Sequence, residues 1–77
     1  MNLDDEMRDL RQADDAISAA QSRIGRQFEL LQALDRDGHN TGQAEKLLAE
    51  MQKALQVMIQ YRATIAAAID SIKAKKL

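Results

Sequence analysis

The stretch Asp35-Arg36-Asp37-Gly38-His39-Asn40-Thr41-Gly42 decides how this chain folds. It is the one clear interruption of a helical pattern, and it falls near the middle of the 77 residues, leaving two arms of nearly equal length. Gly38 suits the left-handed residue that ends a helix, where a β-carbon would crowd the backbone. Asn40 and Thr41 suit the cap of the next helix, and Asn40 followed three residues later by Gln43 resembles a capping box. The spacing predicts a turn of about 3–6 residues between antiparallel helices. Asp35-x-Asp37-Gly38 has the look of a calcium loop, but such a loop needs Gly in the sixth place and Glu in the twelfth. Here Gly38 follows Asp37 at once and the twelfth residue from Asp35 is Lys46, so calcium is excluded. His39 reads as a solvated or capping residue rather than a ligand or proton switch.

Upstream of the turn, Leu3, Leu10, Ile17, Ile24 and Leu31 recur every seventh residue. Such a repeat winds a helix against a partner in a left-handed supercoil. The second set of seam positions is weaker: Glu6, Ala13, Ala20, Gln27 and Leu34. Met7 and Phe28 widen the apolar face on one side, Ala16 and Leu30 on the other. Gly25 sits well inside this helix and costs about 1 kcal/mol relative to Ala; it reads as an exposed position.

Downstream, Ala44, Leu48, Met51, Leu55, Met58, Arg62, Ile65, Ile69 and Ile72 follow alternating steps of four and three. Arg62 alone breaks the apolar series. Leu47, Ala54, Tyr61 and Ala68 widen this face on one side, Ile59 and Ala66 on the other. Both arms are therefore wider in apolar surface than a two-helix seam requires.

Each arm, about 3–36 and 41–75, would be roughly 50 Å long at 1.5 Å per residue. Folding at the turn sets residue i beside a residue near 77 − i. Leu10 then meets Ile65 and Ile69, Ile17 meets Met58 and Tyr61, and Ile24 meets Met51 and Leu55. Phe28, Leu31 and Leu48 complete the expected core nearer the turn. The acidic start, Asp4 to Glu6, falls beside the basic end, Lys73 to Lys76. The same register brings Arg62 to Asp14, with Asp15 second; an Arg on an apolar seam needs an anionic partner, and the pair would fix register.

Composition agrees with an all-α reading. Pro is absent, there is no Cys or Trp, and one Phe and one Tyr are the only aromatics. Ala, Leu, Gln, Lys, Arg and Glu, which dominate, are strong helix formers. Without Cys, disulfides and thiolate metal sites are excluded, and one His excludes a multi-histidine site within the chain. No metal or other cofactor is expected. A single chain of this size has a marginal core, and oligomerisation is the remedy left. Large residues near the turn taper to alanines toward the termini, and small residues let helices approach. The expectation is one domain, 1–77, an antiparallel two-helix hairpin that dimerises into an antiparallel four-helix bundle.

Arg23-Ile24-Gly25-Arg26-Gln27, then Leu34, Gly38-His39-Asn40-Thr41, Ala44 and Leu47-Leu48 together resemble the pattern of a set of small uncharacterised bacterial helical-hairpin proteins. Their pattern runs R-I-x-R-Q, then G-H-[DN]-T-x-x-A-x-x-L-L. It covers about the middle third of the chain and departs at Gly25, where Ala is expected. The resemblance implies the hairpin and no activity.

Eleven Lys and Arg against twelve Asp and Glu give a net charge of −1, no electrostatic reason to seek nucleic acid or an anionic membrane. No apolar run approaches the ~20 residues of a membrane span, and the acidic opening is unlike a secretory signal, so a cytoplasmic protein is expected. No Ser/His/Asp set, phosphate loop or Glu-x-x-His pair is present, so no enzyme is expected. The leading expectation is a structural or protein-interaction module, a homodimer with room for an unidentified protein partner. Tyr61, Phe28, Met51 and Met58 are its candidate contacts, although stripes at this spacing usually belong to a core. The alternative is a small dimeric nucleic-acid-binding regulator of the Rop type, an analogy of fold alone. Arg8, Arg11, Arg23 and Arg26 would serve it, but Asp9, Asp14 and Asp15 interrupt them.

Overall fold

The computed structural model describes residues 2–75. Two α-helices, α1 (Leu3–Arg36) and α2 (Gly42–Lys75), account for nearly all of them. They fold back on each other into a rod of 62 × 15 × 14 Å. The radius of gyration is 17.7 Å, where a compact chain of this length would have about 11.5 Å. No helix among the described residues is long and apolar enough to cross a membrane.

The ends of both helices are set by local chemistry. At the start of α1 the Asn2 side chain accepts from the Asp4 N–H at 2.8 Å, and Asp4, Asp5 and Glu6 bring negative charge to the positive end of the dipole. At its end Gly38 takes φ +78. The Gly38 N–H donates to the Asp35 carbonyl (3.1 Å) and the His39 N–H to the Leu34 carbonyl (2.9 Å). Those two bonds make a complete Schellman stop, which consumes carbonyls the helix would otherwise leave unpaired. Thr41 is the first carbonyl of α2, accepting from the Glu45 N–H at 2.9 Å. The side-chain cap comes from Asn40, whose Oδ1 accepts from the Gly42 N–H at 2.8 Å. The expected helix limits hold to within one residue.

The seam follows the heptads. Ala13, Ala20, Ile65 and Ile69 are buried, and Leu10, Ile17, Ile24, Leu31, Leu48, Met51, Leu55 and Met58 are half-buried. Leu3 and Leu10 pack on Ala13, Ile65 and Ile69, which is the contact the register required of Leu10. No large side chain among the described residues is fully enclosed, because each helix has one neighbour.

Two expectations are corrected, the core placement of Phe28 and Tyr61 and the burial of Arg62. Phe28 and Tyr61 are not in the hairpin core: they are 49% and 59% exposed, since they flank the seam and a single partner helix cannot reach them. The acidic start lies beside the end of α2, as the register requires, with Leu3 packed on the cluster of Ile65 and Ile69 and Glu6 buried. Asp5 pairs with Arg8 one turn on, at 2.9 Å, a spacing that a helix supplies without any tertiary contact; Lys76 lies outside the described residues. Finally, Arg62 is not a buried seam residue. Its side chain is 42% exposed and that of its partner Asp14 49%.

Candidate interaction face

The two flanks of the seam differ in chemistry. On one, heptad positions bring Asp9, Ala16, Arg23 and Leu30 of α1 alongside Leu47, Ala54, Tyr61 and Ala68 of α2. A hollow of about 190 Å³ there is lined by Asp9, Gln12, Ala13, Ala16, Met58 and Tyr61. A smaller one, about 70 Å³, follows along the rod between Ala20, Arg23, Met51, Ala54 and Met58. Met58 belongs to both, so the two form one groove over the middle of the rod. Its floor is alanine and methionine because the seam is small there: Ala13, Ala16 and Ala20 leave space that the neighbouring Met58 and Tyr61 only partly fill. Leu30 and Leu47, each about half exposed, rise toward the turn end.

The opposite flank carries Met7, Asp14, Gln21 and Phe28 beside Gln52, Ile59 and Ala66. Arg62 leaves the seam on this side, and its Nε donates to Asp14 Oδ1. The hollow here is broader, about 570 Å³, and Gln52, Lys53 and Gln56 rim it beside Ile24 and Leu55. Both flanks expose apolar side chains: Leu30, Leu47 and Tyr61 on the first, with Asp9 and Arg23 among them, and Met7, Phe28 and Ile59 on the second, beside the Asp14–Arg62 pair.

Arg62 and Asp14 meet as the register demanded, across 48 residues of sequence. Exposure changes what the pair can do: water and salt screen it, so its energetic contribution is small while its geometry still marks one alignment of the helices. A second polar link was not foreseen. Gln27 Nε2 donates to the Ala44 carbonyl at 3.1 Å, so the amide that seemed to weaken the seam ties α1 to the first turn of α2. The signal was available: a lone Gln in a half-buried seam position needs a partner, and helix carbonyls are the nearest acceptors. Gly25 is exposed, with nothing within 4 Å of where a β-carbon would stand, so no neighbour within the hairpin requires it.

His39 lies exposed in the turn. Among the described residues no three His, Cys, Asp or Glu side chains gather as a metal site. What the arrangement offers chemically is apolar surface in a fixed, shaped groove. Comparison with protein-family models, with curated proteins and with solved structures found no match to this chain.

Proposed function

We propose that this hairpin is a non-enzymatic structural and protein-interaction module that self-associates through its broad apolar faces into an antiparallel four-helix bundle. The exposed flanks carry the reading. Phe28, Leu30, Leu47 and Tyr61 stand about half exposed, and Val57 is 65% exposed. They lie along one rigid rod rather than scattered singly, which is the pattern of a surface awaiting a partner.

Area supports the same conclusion. The hairpin exposes 5812 Å², whereas a compact chain of 8.6 kDa would expose about 4,700 Å². Two such rods would have to cover about 3,800 Å² between them to match a compact particle of twice the mass. That area lies within the range of about 2,000–5,000 Å² for obligate homodimers. A core of two alanines and two isoleucines is also small against the conformational entropy of ordering two long helices, about 1–2 kcal/mol per residue.

The nucleic-acid alternative has less support. Arg8 is engaged by Asp5 and Arg62 by Asp14, and Arg23 lines the apolar groove, which leaves little of a continuous basic stripe. The cytoplasmic setting and the kinship with bacterial helical hairpins belong to this proposal and rest on the sequence alone. Sedimentation equilibrium tests the central point. The expected mass is twice that of the chain at micromolar concentration; a monomer that keeps its full helicity there ends the reading.

A further inference from the structure

We infer that the second copy seats on the apolar groove, with its rod reversed, so that the two turns lie at opposite ends of the bundle and α2 packs against α2 of the other copy. The inference rests on the self-association proposed above and adds its face and its direction.

The face follows from chemistry. Covering the groove flank removes the exposed Leu30, Leu47 and Tyr61 from water, with Ala54 between them, and involves two isolated charges, Asp9 and Arg23; the other flank would cover Met7, Phe28 and Ile59 but also the cross-helix Asp14–Arg62 pair with Gln21 and Gln52. Desolvating those groups costs free energy that apolar surface does not.

The direction follows from side-chain size. Along the groove flank α2 presents Leu47, Ala54, Tyr61 and Ala68 at heptad spacing. Reversed about its midpoint, this stripe sets Leu47 against Ala68 of the other copy and Tyr61 against Ala54, a large side chain over a small one each time. On α1 the same reversal sets Arg23 over Ala16 and Leu30 beside Asp9, a match of size on this helix and not of polarity. Both midpoints lie at one level of the rod, because Ala16 shares a hollow with Tyr61 and Arg23 shares one with Ala54. A single two-fold axis therefore serves both helices, as a closed dimer needs. With the turns at the same end, α1 would instead lie over α2 of the other copy. Leu30 would then stand against Leu47, and Asp9 against Ala68. That arrangement wedges the bundle open at the turn and leaves space at the termini, losing contact where it is needed. In the reversed form the Arg23 stem lies along Ala16 beside the Tyr61 ring, with its charged end free to reach water.

The chain has no cysteine, so a single His39→Cys in the exposed turn carries one spin label per copy. Pulsed dipolar spectroscopy should then give a separation approaching the 62 Å length of the rod. A sharp distance of roughly 10–25 Å, a few helix widths, would place both turns at one end and overturn the inference. A companion pair of variants tests the face. Ala54→Arg puts a long charged side chain into the groove and should raise the dimer dissociation constant at least ~tenfold, with helicity kept. Ile59→Arg, on the opposite flank, should leave it within about twofold. The reverse ranking would put the interface on the other face. If the wild-type chain sediments as a monomer, the self-association reading itself fails, a result separate from either of these.

Discussion

Two glycine-to-alanine substitutions, chemically identical, should change stability in opposite directions. Gly25 lies in the interior of α1, and an added β-carbon would meet nothing within 4 Å. Alanine there restricts the unfolded chain and costs nothing in the folded one, so Gly25→Ala should stabilise by about 0.8–1 kcal/mol per chain. Gly38 also has open space around it, but its φ of +78 is a conformation that L side chains resist. Gly38→Ala should therefore destabilise by about 1–2 kcal/mol. The two sites are 13 residues apart on sequence numbering, about 20 Å along the helix, so the double variant should return close to wild type. Thermal unfolding followed by circular dichroism reads the shifts. For a domain of this size 1 kcal/mol moves Tm by about 4–8 °C. Chain concentration must be held constant, because the proposed self-association would make the midpoint depend on it. Urea unfolding should show a changed midpoint and an unchanged slope, the mark of a stability change without a change in surface exposed. A neutral or destabilising Gly25→Ala would refute the argument. It would mean that another helix lies against the outer side of α1 near Gly25, which would count against the proposed seating of a second copy on the groove.

Other substitutions test the turn and the cross-helix pair. Asn40→Ala removes the acceptor of the Gly42 N–H and should cost about 1 kcal/mol, as loss of a cap usually does; equal stability by urea unfolding would show that Thr41 alone suffices to begin α2. Arg62→Leu should leave Tm unchanged or raised, because an exposed pair contributes only ~0.2–1 kcal/mol while leucine adds apolar surface to the seam. Its sedimentation profile should broaden if the pair fixes register, and a sharp fall in stability with unaltered assembly would disprove that role.

Much of the hairpin was legible from sequence, for reasons that are local. Helix limits follow from caps and from the left-handed glycine, which act within a few residues, so the turn from Asp37 to Thr41 could be read directly. Seam positions follow from heptad spacing, which a helix turns into a face with no knowledge of its neighbour. Once the turn was placed, chain length alone brought Arg62 to Asp14. Nothing comparable announced which polar groups would stay wet. Asp5 pairs with Arg8 because helix geometry places residues three apart side by side, and Glu6 is buried although its residue type favours water.

The sequence by itself thus determined two helices, their limits, their register and the stripes that face inward. The tertiary structure decided what lies at the edge of that seam. Phe28 and Tyr61 belong to stripes at core spacing, yet they remain half exposed because a two-helix rod has only one inward direction. Arg62 occupies a seam position, yet its guanidinium escapes to Asp14 because the seam is only one side chain deep. Gln27 reaches the Ala44 carbonyl because the turn draws the start of α2 against the end of α1. The groove between Ala16 and Tyr61 exists only where flanks from both helices meet, and a periodicity read along one helix cannot show which flank of the other will stand beside it.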